Sequence, residues 1–181
     1  MLYEKKKKKI LHYFNLRKTE YNSSKYDIIR DKYIQTTLTD TQKTELYNAV
    51  FKDNLERLKK LINIEKYPLL EECSMKGYYW TVLHYAANYG FLSIIEYILK
   101  YYQNDPQMIE KVNLPSNLGM TPLFIGIKNS PSFELKQKLL DLFIKYDAID
   151  FFIKSNNNKD IFDYCKEEKL LDFLIENYFE D

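Results

Sequence analysis

Apolar side chains in the second half of the chain recur at helical spacing, in blocks separated by polar stretches. Leu92, Ile95, Ile98, Leu99 and Tyr102 fall on one face of a predicted helix. Leu139, Leu142, Phe143 and Tyr146 make a second such stripe, and Leu170, Leu171, Leu174 and Tyr178 a third. Near the N-terminus, Ile10, Tyr13, Phe14 and Arg17 fit a short helix. Ile29, Tyr33 and Ile34 share one side of another, from Tyr26 to Gln35, with Asn22-Ser23-Ser24 as the loop between them. A lone helix pair cannot bury a stripe of this kind, but stacked neighbours can. The pattern predicts an all-α chain.

The blocks repeat. Thr81-Val82-Leu83-His84-Tyr85-Ala86-Ala87-Asn88-Tyr89-Gly90 precedes the apolar run Phe91 to Leu99. Gly119-Met120-Thr121-Pro122-Leu123-Phe124-Ile125-Gly126-Ile127 is a second copy, and Asn158-Lys159-Asp160-Ile161-Phe162-Asp163-Tyr164-Cys165 a more divergent third. Upstream, Glu45 to Val50 followed by Asn54 to Ile62 reads as a first copy. These segments resemble ankyrin repeats, whose signature is Thr-Pro-Leu-His-x-Ala-Ala-x-x-Gly and then an apolar second helix; Val82 stands where proline is usual, and Phe124 where histidine is. Aligned at Leu46, Leu83, Leu123 and Phe162, the copies are 37, 40 and 39 residues apart, against about 33 for the ankyrin unit. Longer loops after each second helix are expected to hold the difference. The resemblance implies an ankyrin-repeat solenoid over residues 44–181, with repeats starting near 44, 81, 121 and 160. Residues 1–43 are then a basic arm, helical or extended. Ala86 and Ala87 are small where helices approach, and Gly90 sits in a turn that needs φ > 0. Asp147 to Asp150 resembles a repeat-ending turn, and the acidic finish from Glu176 to Asp181 suits a solvated cap.

Composition narrows the chemistry. The 181 residues carry 27 Lys+Arg and 26 Asp+Glu, but unevenly. Residues 1–43 hold 11 basic and 5 acidic side chains, residues 44–181 hold 16 and 21. The near-neutral total therefore hides a basic arm on an acidic body. Four glycines leave no phosphate-binding loop. Two distant cysteines exclude a disulfide scaffold or zinc ribbon and favour a reducing, intracellular setting. Two histidines leave no metal cluster, so neither metal nor cofactor is expected. No uncharged stretch is long and apolar enough for a transmembrane segment, and nothing indicates a homo-oligomer. The 17 Tyr and 11 Phe share AT-rich codons with the abundant Lys, Asn and Ile, so this bias reads as genome composition by default.

No catalytic set emerges. The resemblance implies that His84 braces its turn by bonding Thr81 and nearby backbone. Cys165 takes an alanine slot on a packed face, and Cys73, in a connection, is open to exposure but has no base beside it. Glu71-Glu72 and Glu167-Glu168 are adjacent pairs that point apart and read as solvated surface.

What remains is binding. By position in the family pattern, partners meet the loop tips and the exposed ends of the first helices. The helix positions are Phe51, Lys52, Asn88, Tyr89, Lys128, Asn129, Glu167 and Glu168. The tips are Gly77, Tyr78 and Trp80, then Asn117, Leu118 and Met120, then Asn156, Asn157 and Lys159. Trp80, the only tryptophan, stands beside two tyrosines, a composition enriched at interfaces; the alternative is that it covers a hairpin base. The run Lys5, Lys6, Lys7, Lys8 and Lys9 admits a solvated tail, contact with an acidic protein surface or RNA, or contact with an anionic bilayer. The expectation is a non-catalytic protein-binding module, an accessory or scaffold subunit of a larger assembly with other protein subunits as partners. The alternative is an RNA-contacting subunit of a ribonucleoprotein through the arm.

Overall fold

The computed structural model describes residues 38–70, 72–73, 77–151 and 153–178. The lysine run, the two N-terminal helices expected from the sequence, Glu71 and the last three residues lie outside this set. Among the described residues there are nine helices and no strand: α1 (Asp40–Phe51), α2 (Leu55–Asn63), α3 (Val82–Tyr89), α4 (Leu92–Tyr102), α5 (Met108–Val112), α6 (Pro122–Asn129), α7 (Phe133–Lys145), α8 (Ile161–Glu167) and α9 (Leu171–Tyr178).

Side-chain oxygens start most of these helices. Thr39 and Gln42 form a capping box at α1, and Asp160 and Asp163 do so at α8. Thr121 Oγ1 accepts from the Phe124 N–H at 3.2 Å with Pro122 as the first helical residue of α6. Asn54 Oδ1 accepts from the Arg57 N–H at 2.9 Å and Ser132 Oγ from that of Leu135 at 3.2 Å, opening α2 and α7. Helix α1 begins at Asp40, four residues ahead of Thr44. Gly90 closes α3 at φ 73°, the left-handed conformation that its turn requires.

First helices stand side by side in the order α1, α3, α6, α8, and α4, α7 and α9 form a second row behind them. Helix α2 joins that row through Asn63, whose Nδ2 donates to the Tyr97 hydroxyl of α4 at 3.2 Å. Equivalent positions of the four first helices carry small buried residues, Ala49, Ala86, Gly126 and Cys165. A Cβ on Gly126 would lie 2.1 Å from Leu139 Cδ2 and 3.1 Å from the Ala87 carbonyl oxygen. Glycine is therefore what lets α6 approach α3 and α7 together.

Two sequence expectations need correction here. The predicted stripes are too narrow: Ile94, Leu140 and Ile175 are buried beside them, while Leu92, Leu142, Tyr146, Leu171 and Tyr178 are only half-buried. A second helix in a stack meets its own first helix and neighbours on both flanks, so its apolar arc exceeds one stripe. The long connection after α4 is also not all loop. It contains α5, anchored by buried Met108 and Val112 one turn apart, with Asn113 Nδ2 donating to the Ile109 and Ala148 carbonyls at 2.8 and 2.9 Å.

Candidate protein-binding face

The first-helix row presents its side chains on one face, and the residues around Thr81 show how that face is fixed. His84 is fully buried at the third position of α3. The Thr81 N–H donates to Nδ1 at 3.1 Å, so Nδ1 must be unprotonated, and Thr81 Oγ1 lies 2.9 Å from the same nitrogen. Nε2 therefore carries the proton and donates to the Met120 carbonyl at 3.3 Å, in the next repeat. Burial pushes the imidazole pKa down to about 3, against weaker opposing help from the Met120 and Leu114 carbonyls. Both ring nitrogens are engaged, so this histidine braces the repeat.

Around this brace the aromatic residues join into one strip. Trp80 stacks on His84 with centroids 6.2 Å apart and meets Tyr85 edge-on at 5.0 Å. Tyr85 meets Tyr47 of α1 at 5.0 Å, and Tyr47 stacks on Phe51 at 5.6 Å. Phe51 meets Tyr89 of α3 edge-on at 5.7 Å, and Tyr89 reaches Phe91 at 5.5 Å. Burial raises the Tyr85 phenol above its usual range, and Tyr89 is raised by burial and then by the Tyr47 side chain. Phe51 is 52% exposed and Tyr89 37%, so the strip is open to solvent at that end.

Loop tips form a second row. The Asn117 N–H donates to the Tyr78 carbonyl at 3.1 Å, and the Asn156 N–H to the Leu118 carbonyl at 3.0 Å. Asn156 Nδ2 also donates to the Asn117 carbonyl at 3.1 Å. These bonds tie consecutive tips together and bring exposed Tyr78 and Leu118 onto neighbouring loops. Further along the helix row, Asn129 Nδ2 donates to Asn88 Oδ1 at 2.9 Å, with Lys128 exposed beside it.

Several expected positions change character. Met120 is buried, because the residue before the Thr121 cap turns inward against the core while its carbonyl serves His84; its side chain offers no surface. Trp80 is half-buried and packs on the core, so it underlies the strip as well as lining it. Cys73 is fully buried, its N–H donating to the Trp80 carbonyl at 3.0 Å, and Cys165 is buried too. Burial pushes both thiols up to about 12. At the last repeat, Lys159 Nζ pairs with Glu167 at 2.6 Å and Lys136 Nζ with Glu168 at 2.6 Å. Tyr47 and Tyr85 were absent from the positional reading. The i, i+4 pairs Tyr47/Phe51 and Tyr85/Tyr89 would have revealed them, since such spacing puts both rings on one helix face. Among the described residues, no three His, Cys, Asp or Glu side chains converge to hold a metal ion, and no helix is long and apolar enough to cross a membrane.

A family model described as ankyrin repeats, in three copies, matches residues 46–150. The chain belongs to the ankyrin repeat family. No curated protein matches the sequence. Among solved structures, a chain in the crystal structure of the yeast ribosomal protein Rps3 in complex with its chaperone Yar1 shares the fold. It superposes with a TM-score of 0.63 at 23% identity, over 81% of this chain and 98% of the other. Among the described residues, α8 and α9 form a further helix pair that lies beyond the matched segment. Family and fold support a protein–protein interaction module.

Proposed function

We propose that this ankyrin domain is an accessory subunit that holds a partner protein against the face built by α1, α3 and the loop tips, without catalysing a reaction. The observation that carries this reading is the aromatic strip. Rings that fold stability alone would bury are instead joined across two helices and left open at Phe51 and Tyr89. Aromatic side chains of this kind dominate binding energy at protein interfaces. The loop tips add Tyr78 and Leu118, preset by the bonds between adjacent loops. The shared fold with a chain from a complex of a ribosomal protein and its chaperone fits the same reading.

The test is recovery of the native assembly through this chain, with cross-links mapped at residue level, for the parent and for Phe51→Ala/Tyr89→Ala. Partner peptides should map to Tyr78, Phe51 and Tyr89, and should persist after nuclease treatment. The double variant should keep its helical circular dichroism and lose binding by about 30-fold or more, the equivalent of ~2 kcal/mol at an interface hot spot. Unchanged binding in a folded variant would remove the strip from the interface.

A further inference from the structure

Two lysines border the open end of the strip. Lys52 follows Phe51 at the C-cap of α1, and Lys128 lies in the last turn of α6. Both are exposed, and among the described residues neither has an ion pair or sits over a ring. Other lysines beside aromatic rings are taken. Lys111, Lys145 and Lys159 lie over Tyr102, Tyr146 and Tyr164, and pair with Asp105, Glu96 and Glu167. The Phe51–Tyr89 ring contact and the Asn129–Asn88 hydrogen bond join the ends of α1, α3 and α6. Tyr89 therefore lies on the helix between the two that carry Lys52 and Lys128. Acids further along this side are neutralised, Glu134 by Lys138, Glu168 by Lys136 and Glu167 by Lys159. Asp53, beside Lys52 in the chain, is exposed and makes no ion pair with it. A body with 16 basic and 21 acidic side chains from residue 44 onward thus keeps two unpaired ammonium groups where its strip opens.

We infer that the partner presents an acidic segment to this end of the strip, with an apolar side chain on Phe51 and Tyr89 and carboxylates on Lys52 and Lys128. This rests on the partner-binding reading of the strip and names the chemistry of the partner's side. Packed helices stand about 8–10 Å apart, so α1 and α6, with α3 between them, are about 16–20 Å apart. An extended segment rising about 3.3 Å per residue crosses that distance in about five or six residues. The partner's two acids therefore stand about that far apart in sequence, with the apolar residue between them. A polynucleotide fits less well, because a phosphate at every nucleotide would meet two lysines on an otherwise acidic body.

Zero-length carbodiimide coupling joins an ammonium group to a carboxylate that it touches, and so reads this contact in the native assembly. Isopeptide links from Lys52 or Lys128 to aspartate or glutamate of a partner support the inference; links only to acids of this chain overturn it. In the same assembly, Lys52→Glu/Lys128→Glu should weaken partner binding about tenfold or more, and Lys52→Gln/Lys128→Gln by less, at unchanged circular dichroism. Asp53→Asn should tighten binding about twofold by removing a like charge from the partner's path. Asp53 has φ 49°, a left-handed conformation that asparagine adopts as readily, so this variant keeps its fold. Charge variants that bind like the parent, while Phe51→Ala/Tyr89→Ala loses the partner, overturn the acidic segment and leave the strip reading standing. A complex released by nuclease, with Lys52 and Lys128 cross-linked to RNA, overturns it in favour of nucleic acid.

Discussion

Lowering the pH from 7.5 to 5.0 should cost this domain about 2 kcal/mol through His84 alone. The ring is fully buried, Nδ1 receives the Thr81 N–H, and Nε2–H serves the Met120 carbonyl. A proton added to Nδ1 would face a donor instead of a lone pair, so the folded state holds the imidazole neutral down to about pH 3. Unfolding frees it to titrate near 6.5. The folded pKa is below the unfolded one, so the stability is fully present above pH 6.5 and is lost as pH falls toward 3. Between 7.5 and 5.0 the linkage relation gives ~2 kcal/mol. The assay is urea unfolding at both pH values for the parent and for His84→Gln. Glutamine at this position keeps a capping-box acceptor for the Thr81 N–H but does not titrate. Glu96, Asp105 and Glu134, which Lys145, Lys111 and Lys138 hold below the usual carboxylate range, titrate in both proteins and cancel in the comparison. The parent should therefore lose about 2 kcal/mol more than the variant, as a shift in midpoint at constant slope. Equal losses would show that His84 is not a buried neutral brace.

Other consequences follow from the packing. Gly126→Ala gains about 1 kcal/mol in helix propensity, but the new methyl meets Leu139 and the Ala87 carbonyl. Overpacking costs about 1–3 kcal/mol, so thermal denaturation should show a net loss, and a more stable variant would mean that Leu139 yields freely. Cys73 and Cys165 should ignore a thiol-specific disulfide reagent in the native protein and react only at the rate of unfolding, because burial holds both as thiols. Arg57 bridges Glu45 at 3.1 Å and Glu65 at 2.7 Å while partly exposed. Arg57→Met should cost under about 1 kcal/mol in chemical denaturation, and the difference should shrink in molar salt.

Much of this fold was legible from local chemistry. Thr121 and Asp160 start helices because their side chains accept from free helix N–H groups, and Thr81 because its N–H and hydroxyl both meet His84 Nδ1; those signals are short-range enough to read along the chain. Gly90 was legible for the same reason, since its turn needs a conformation few residues adopt. Contacts made between repeats were harder to foresee. Nothing near Met120 signals that its side chain turns inward, because the core that receives it is built from other repeats. Helix α5 escaped notice because five residues are too few to show a period. The proposed binding face was half legible: Tyr89, Tyr78 and Leu118 are exposed, as their positions imply. Tyr47 was legible in its i, i+4 pairing with Phe51, but its contact with Tyr85 exists only once α1 and α3 are set side by side.

The connection holding α5 separates two kinds of spacing. Along the chain the repeats arrive at irregular intervals of 37, 40 and 39 residues, yet their capped first helices still line up as one row. Extra length is absorbed between a second helix and the next loop tip, where Asn113 bolts it to the Ala148 carbonyl. Chain length can thus drift over evolutionary time without moving the rings or the tips. Divergence in this lineage should accumulate as insertions at the seam after α4 and leave the aromatic strip and loop tips in register. The same seam is the place to graft a reporter or an affinity handle.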